Sequence, residues 1–343
     1  MDPNYKPRGA RAMSYSPRVW LAVASACCVL ALVAPVHAID PNHLPGDTEG
    51  ILTINLRQIL ESELARTNKD GVAQVKFLVE SYLADEQVQR YLEKMDFDLF
   101  RDLKQITITT AGSKSPEFIL LEGKFHPEKV RAAGEEASRD HVDHIKPVMI
   151  GTQRAFEIRP TNDEKPLFAG VVGQDKLIAT SSREGYADAV ARLNGSKKSN
   201  VRKELRELFG PQSAKQSIGL VTTGPALARM LDDAPVPNIE ALQALLQGVA
   251  ALSIAVTVEQ NVGFELGVNS KDKQAAEEMV KLTSVGLAAA KIMLKKRAEN
   301  DPKLASALDI VSSMRVTSQG NNFILRGEIT AKALEKILKD LPK

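Results

Sequence analysis

The sequence predicts an α+β protein built as two similar halves, each a mainly antiparallel sheet covered on one face by helices. Three observations carry this expectation. Strand-like runs come in pairs joined by short polar turns, rather than alternating singly with helices as in a doubly wound fold. Helical stretches with apolar residues at three- and four-residue spacing separate the pairs. The order of elements in residues 39–195 recurs in residues 215–343 across a polar seam and short helix at 196–214, which reads as an internal duplication.

The first 38 residues are of a different kind. Arg8, Arg11 and Arg18 precede the unbroken apolar run "WLAVASACCVLALVAPV", and "VHA" follows it with small aliphatic residues at the two positions that matter for cleavage. Residues 1–38 therefore read as a secretory signal peptide, with Met13 an alternative start that gives a signal of ordinary length. An uncleaved anchor is the rival reading, although the run falls short of the roughly 20 residues that span a bilayer. Lipidation at Cys27 is a weaker rival, because "ASAC" departs from the usual lipobox.

Both cysteines, Cys27 and Cys28, lie in that segment, so the exported chain has no disulfide, thiol nucleophile or Cys-ligated metal. The whole chain holds 45 basic and 43 acidic residues. The segment takes Lys6, Arg8, Arg11 and Arg18 but only Asp2, which leaves the remainder within one charge of neutrality. A near-neutral chain has no global field to steer it to nucleic acid. Aromatic residues make up only 5% of the chain, too few for stacking platforms that bind sugars or bases.

In the first half, "ILTINL" reads as a buried strand, and the apolar positions Val72, Val75, Leu78, Val79, Tyr82 and Leu83 mark one face of a helix. "FDLFRDL" is a short helical turn. "QITITTA", the turn "GSKSP" and "EFILLEGKF" form a strand pair. "HPEKVRAAGEEASRD" is a helix with Pro127 in its first turn, where a missing N–H costs nothing. "KPVMIG" and "AFEIRP" form a hairpin. "PLFAGVVGQDKLIATSS" forms another, turned at Gly173 to Asp175, and "REGYADAVARL" closes the half as a helix.

The second half follows the same plan. "QSIGLVTT" is a strand. Helices separated by "APVPN" follow. "AALSIAVTV" and "VGFELGV" repeat the strand pair, so Phe118 and Phe264 are expected on inward faces of corresponding strands. "MRVTSQGNNFILRGEI" repeats the glycine-turned hairpin, and "AKALEKIL" is the last helix. Between them a long helix over 271–296 is apolar on a wide stripe. Such a stripe suits a lipid-facing or partner-binding helix. The reading preferred from sequence is a central helix lying across the sheet.

For chemistry the one conspicuous stretch is "DHVDH", with Asp140, His141, Asp143 and His144 as metal-ligand types. Two histidines at i and i+3 can share a helical face. Yet a zincin needs i and i+4 with a glutamate between, and only His43 and His126 remain to supply a third imidazole. The stretch sits between a helix and a strand, where Lys146 before Pro147 is pushed towards an extended conformation. Exposed polar loop residues are the expectation, with His141, Asp143 and His144 kept as candidates for a metal site and no catalytic or cofactor-binding residue assigned. No nucleophile elbow, phosphate loop, dinucleotide fingerprint or zincin motif is present. Glu135 and Glu136 read as a solvated helix face.

"LPGDTEGILTINLRQILESEL", "DFDLFRDLKQITITTAG", "PEFILLEGKFHPEKV" and "PLFAGVVGQDKLIATSSREGYADAVARL" together resemble a group of exported proteins of planctomycete-type bacteria with no assigned activity. The resemblance implies export and a β-rich duplicated architecture. It brings no catalytic residue. The expected function is that of a non-enzymatic periplasmic or envelope protein that binds a protein or envelope component or helps build an assembly, without cofactor or nucleic acid. The alternatives are a metal-binding protein or hydrolase using the Asp140–His144 region, and a carrier of an apolar ligand between the sheet and the long helix.

Overall fold

In the computed structural model one antiparallel sheet joins strands from both ends of the chain. The structure describes residues 40–83, 85–112, 117–159, 165–209, 216–231, 249–270, 272–301 and 304–340. Residues 1–39 with the two cysteines, most of the "GSKSP" turn and "APVPN" lie outside the described residues.

The twelve described strands are β1 (Gly50–Ile54), β2 (Leu103–Thr110), β3 (Phe118–Gly123), β4 (Ile145–Ile150), β5 (Gln153–Ile158), β6 (Leu167–Val172), β7 (Lys176–Thr180), β8 (Ile218–Thr223), β9 (Ala251–Val258), β10 (Val262–Asn269), β11 (Arg315–Gln319) and β12 (Asn322–Ile329). Their order across the sheet is β11-β12-β10-β9-β8-β1-β2-β3-β7-β6-β5-β4, and every described pairing is antiparallel. The sequence predicts a sheet for each half. Instead, β1 pairs with β8, Leu52 opposite Leu220, and fuses them into one. Two apolar, β-branched strands with no charged residue make a favourable central pair and leave neither as an exposed edge.

The helices used below are α1 (Leu56–Leu60), α2 (Glu63–Thr67), α3 (Lys69–Tyr82), α4 (Glu86–Met95), α5 (Leu99–Asp102), α6 (Pro127–Asp140), α7 (Arg183–Leu193), α8 (Lys203–Phe209), α9 (Gly224–Met230), α10 (Lys273–Ala298), α11 (Ala305–Ser313) and α12 (Ala331–Asp340). Several start on side-chain caps. The side-chain oxygens of Asn55, Ser62, Ser182 and Thr223 each accept a backbone N–H from the first turn of α1, α2, α7 and α9.

Helices cover both faces of the sheet, not one. Directly opposed residues in an antiparallel sheet share a face, and neighbours along a strand alternate. Ile51 is opposed to Thr109 and Val221, and Thr109 to Phe118. This face packs against Tyr186 and Ala189 of α7 and Leu205 and Leu208 of α8. Ile54 and Ile218 lie on the opposite face, packed against Ile59 of α1 and Leu64 and Ala65 of α2. The run "ILTI" has apolar residues at both alternating sets of positions, so a one-sided cover would leave half of them wet. The seam region contributes to this core, since α8 buries Leu205, Leu208 and Phe209.

Register also corrects the pairing of Phe118 with Phe264. Phe118 shares its face with Ile51, Val221, Ser253 and Gly267. Phe264 stands three residues before Gly267 on β10, so it points to the other face. There its ring covers Gly327 of β12, where a Cβ would collide with it. Phe118 is buried and Phe264 only half-buried. Similar letters at similar positions had concealed a one-residue difference of register.

Candidate functional site

The "DHVDH" stretch ends one element and begins the next. Asp140 is the last residue of α6, His141 caps it, and 141–144 form a turn into β4. The His141 N–H donates to the Ala137 carbonyl at 2.9 Å, and the His141 carbonyl accepts from His144 and Ile145 at 2.9 and 2.8 Å. Each side chain is engaged locally or turned to solvent. Asp140 accepts from Tyr91 at 3.1 Å and pairs with Arg90, both on α4. His144 Nδ1 lies 2.9 Å from the Arg159 carbonyl. Asp143 and His144 are exposed and His141 is half-buried beside Tyr91, ring edge to ring face at 6.4 Å.

The other two histidines lie elsewhere. His43 sits in the turn Pro41–His43, where burial lowers its pKa against the opposing pull of Asp40. His126 occupies the N-cap position of α6 but makes no side-chain capping bond, and its Nε2 is 3.9 Å from Asp96 on the loop after α4. Among the described residues, no three His, Cys, Asp or Glu side chains gather as a metal ion requires.

A cleft of about 440 Å³ opens between the 45–47 turn, the ends of β3 and β7, the first turns of α7 and residues 197–200. Its charges largely satisfy one another. Asp188 receives Lys197 at 2.5 Å and lies 3.7 Å from the Arg192 guanidinium, while Ser181 donates to Glu117 at 2.7 Å. Arg192 is 6% exposed, and its Nε has no hydrogen-bond partner among the described residues. Burial lowers its pKa, and Asp188 and Asp47 oppose that shift. With Asp47, Glu117, Glu184 and Asp188 against Arg192, Lys197 and Lys198, the cleft presents mixed charge.

The most unusual surface belongs to α10. The helix packs against β11, β12 and α11 at one edge of the sheet rather than across its middle. Only Ala276 is fully buried, and Val280, Leu287 and Leu294 are half-buried near the same side. The other side carries Leu282 at 75% exposure, Val285 at 71%, Ile292 at 72% and Met293 at 58%. Gly286 lies among them with open space where a side chain would be. This overturns the central-helix expectation. The signal for it was legible: from Leu282 to Leu294 only Thr283, Ser284 and Lys291 are polar, so the stretch is apolar nearly all round. A helix of that kind is buried on all sides or awaits a cover. It is not a membrane span, since none of the described helices is long and apolar enough to cross a bilayer.

No protein-family model matches the chain, and no curated protein matches it. Among solved structures, crystal form IV of TP0453 is similar over 90% of this chain and 97% of its own, at 10% identity and a TM-score of 0.45. Crystal form III of TP0453 covers 89% of this chain and 99% of its own, at 10% identity and a TM-score of 0.43. A likeness at that level says nothing about activity.

Proposed function

We propose that the chain is an exported, non-enzymatic envelope protein that acts by binding a partner or joining an assembly through the outer face of α10. The observation that carries this reading is the band of exposed Leu282, Val285, Ile292 and Met293 on a helix otherwise seated on the sheet edge. Contiguous exposed apolar surface of this kind marks an interaction site on a soluble domain. The charged, apolar and "VHA" segments of residues 1–38 support export and a mature N-terminus at Ile39.

The same reading takes the two sides of the sheet as copies of one unit. Outward from the central pair the strands run β1, β2, β3, β7, β6 on one side and β8, β9, β10, β12, β11 on the other. The β4–β5 hairpin extends the first side alone. Gly173 and Gly320, at φ 69° and 60°, turn the β6–β7 and β11–β12 hairpins. In this scheme α6 and α10 occupy equivalent places after the third strand.

The test is made in the native cell with Leu282→Asp/Ile292→Asp. The wild type is expected in the envelope fraction, beginning at Ile39, in a particle larger than the monomer. The variant is expected to be folded but released as a smaller particle. An unchanged fraction and size for the variant would remove α10 from the binding surface.

A further inference from the structure

The partner of α10 is legible in the helix itself. Six exposed residues line the centre of its outer face: Glu278, Leu282, Val285, Ala289, Ile292 and Lys296. Their spacing alternates four, three, four, three, four, which is the repeat that keeps a seam facing a second helix. The row is also symmetric about its middle. Reversing it sets Leu282 against Ile292, Val285 against Ala289, and the carboxylate of Glu278 against the ammonium of Lys296. Small residues stand at the centre, where Ala289 and the open space at Gly286 permit close approach.

We infer that α10 docks antiparallel on α10 of a second copy of this chain, forming a two-fold symmetric dimer. Resting on the partner-binding reading above, this names the partner. A two-fold interface must be self-complementary, each residue meeting its counterpart's mate. The row satisfies that condition, with apolar layers in the middle and an acid–base pair at each end. No described residue forms an ion pair with Lys296, and Glu278 accepts only from Gln274 of its own helix, at 2.9 Å, so both charges are available. An anionic lipid surface is the competing occupant, since Lys281, Lys291, Lys295, Lys296 and Arg297 follow with no acid between Glu278 and Glu299. It is disfavoured because Glu277 and Glu278 would meet that surface at the other end of the same helix, and a flat bilayer has no use for the symmetry of the row.

The experiment is a charge exchange on the chain as the cell processes it, read by sedimentation equilibrium with circular dichroism as the folding control. Glu278→Lys and Lys296→Glu each set like charges opposite one another twice in the dimer, so each should weaken self-association by about tenfold or more. The double variant Glu278→Lys/Lys296→Glu restores both pairs and should return to near the wild-type value. All of these positions are exposed, so the fold is retained. Three outcomes overturn the inference: a wild type that stays monomeric at every concentration, single variants that associate like the wild type, or a double variant no better than the singles. Binding to phosphatidylglycerol vesicles that Glu278→Lys strengthens, without self-association, would assign the face to lipid instead. If the wild type is monomeric while Leu282→Asp/Ile292→Asp still leaves the envelope fraction, the partner-binding reading stands and self-pairing alone falls.

Discussion

Helix α6 follows β3 and α10 follows β10, and both pack beside a sheet edge, yet their surfaces are finished differently. Helix α6 buries Val130, Ala133 and Ala137, and its outer charges are matched by neighbours: Lys94 and Arg90 meet Glu136, Arg154 meets Glu135 at 2.8 Å, and Lys129 meets Asp96 at 2.7 Å. On α10, Lys273 pairs with Glu277 of the same helix at 3.4 Å, no ion pair to Lys296 is formed among the described residues, and the middle is apolar on the solvent side. The first helix is complete within one chain. In the proposed reading the second is completed against another surface. The contrast supports the proposed binding face, and in the polar turn at the end of α6 no three ligand side chains come together among the described residues.

The contrast can be broken or sharpened by substitution. The largest effect is expected on the shared core. Phe118→Ala should cost on the order of 3–5 kcal/mol, as for a fully buried ring, read by denaturant unfolding. A loss like that of a surface residue would mean the face built on Ile51 and Val221 is not the core. Gly327→Ala forces Phe264 aside and should cost about 1–3 kcal/mol, while Phe264→Ala/Gly327→Ala should recover much of the Gly327→Ala component. Failure to recover would place Phe264 away from Gly327.

A pH effect separates the first half from the second. Hydrogen bonds from Arg101, aided by the Asp98 N–H at 2.9 Å, hold the Asp102 carboxyl below its usual range despite burial. A depressed folded pKa gives stability that is present above the unfolded value of about 4 and is lost as pH falls through the folded one. Asp102→Asn should therefore lower stability at neutral pH and flatten the acid limb of the stability curve below about pH 4. An unchanged acid limb would count against the Arg101 pairing.

The smallest effects are expected at the surface positions, exposed or half-buried. His141→Ala/His144→Ala and Ile292→Ala should each change monomer stability by only about 0.5 kcal/mol in thermal unfolding. Zinc retained in stoichiometric amount through dialysis, and lost in the histidine double variant, would move function back to the end of α6.

Much of the fold could be read from the sequence because its signals are local. The glycine at 173 announces a tight hairpin, Pro127 a helix start, and "QITITT" a strand with one face buried. What escaped is long-range. Nothing near Leu52 or Leu220 says that these two strands pair with each other and merge two sheets into one. The register of Phe264 depends on its partners in β9 and β12, so its resemblance to Phe118 misled. For α10 the apolar residues were visible, but a wide stripe fits burial under a sheet as well as exposure to a partner. Only the location of the helix at the β11–β12 edge separates these.

Direction and partner can be tested together by disulfide trapping. With Cys27 and Cys28 replaced by serine, Glu278→Cys and Lys296→Cys are made as separate chains and mixed under mild oxidation. Antiparallel pairing brings position 278 of one copy beside 296 of the other, and separates identical positions by about 27 Å at 1.5 Å per residue. The mixture should yield a covalent heterodimer while neither chain alone does. Cross-linking of each chain with itself, or none in the mixture, would contradict antiparallel pairing.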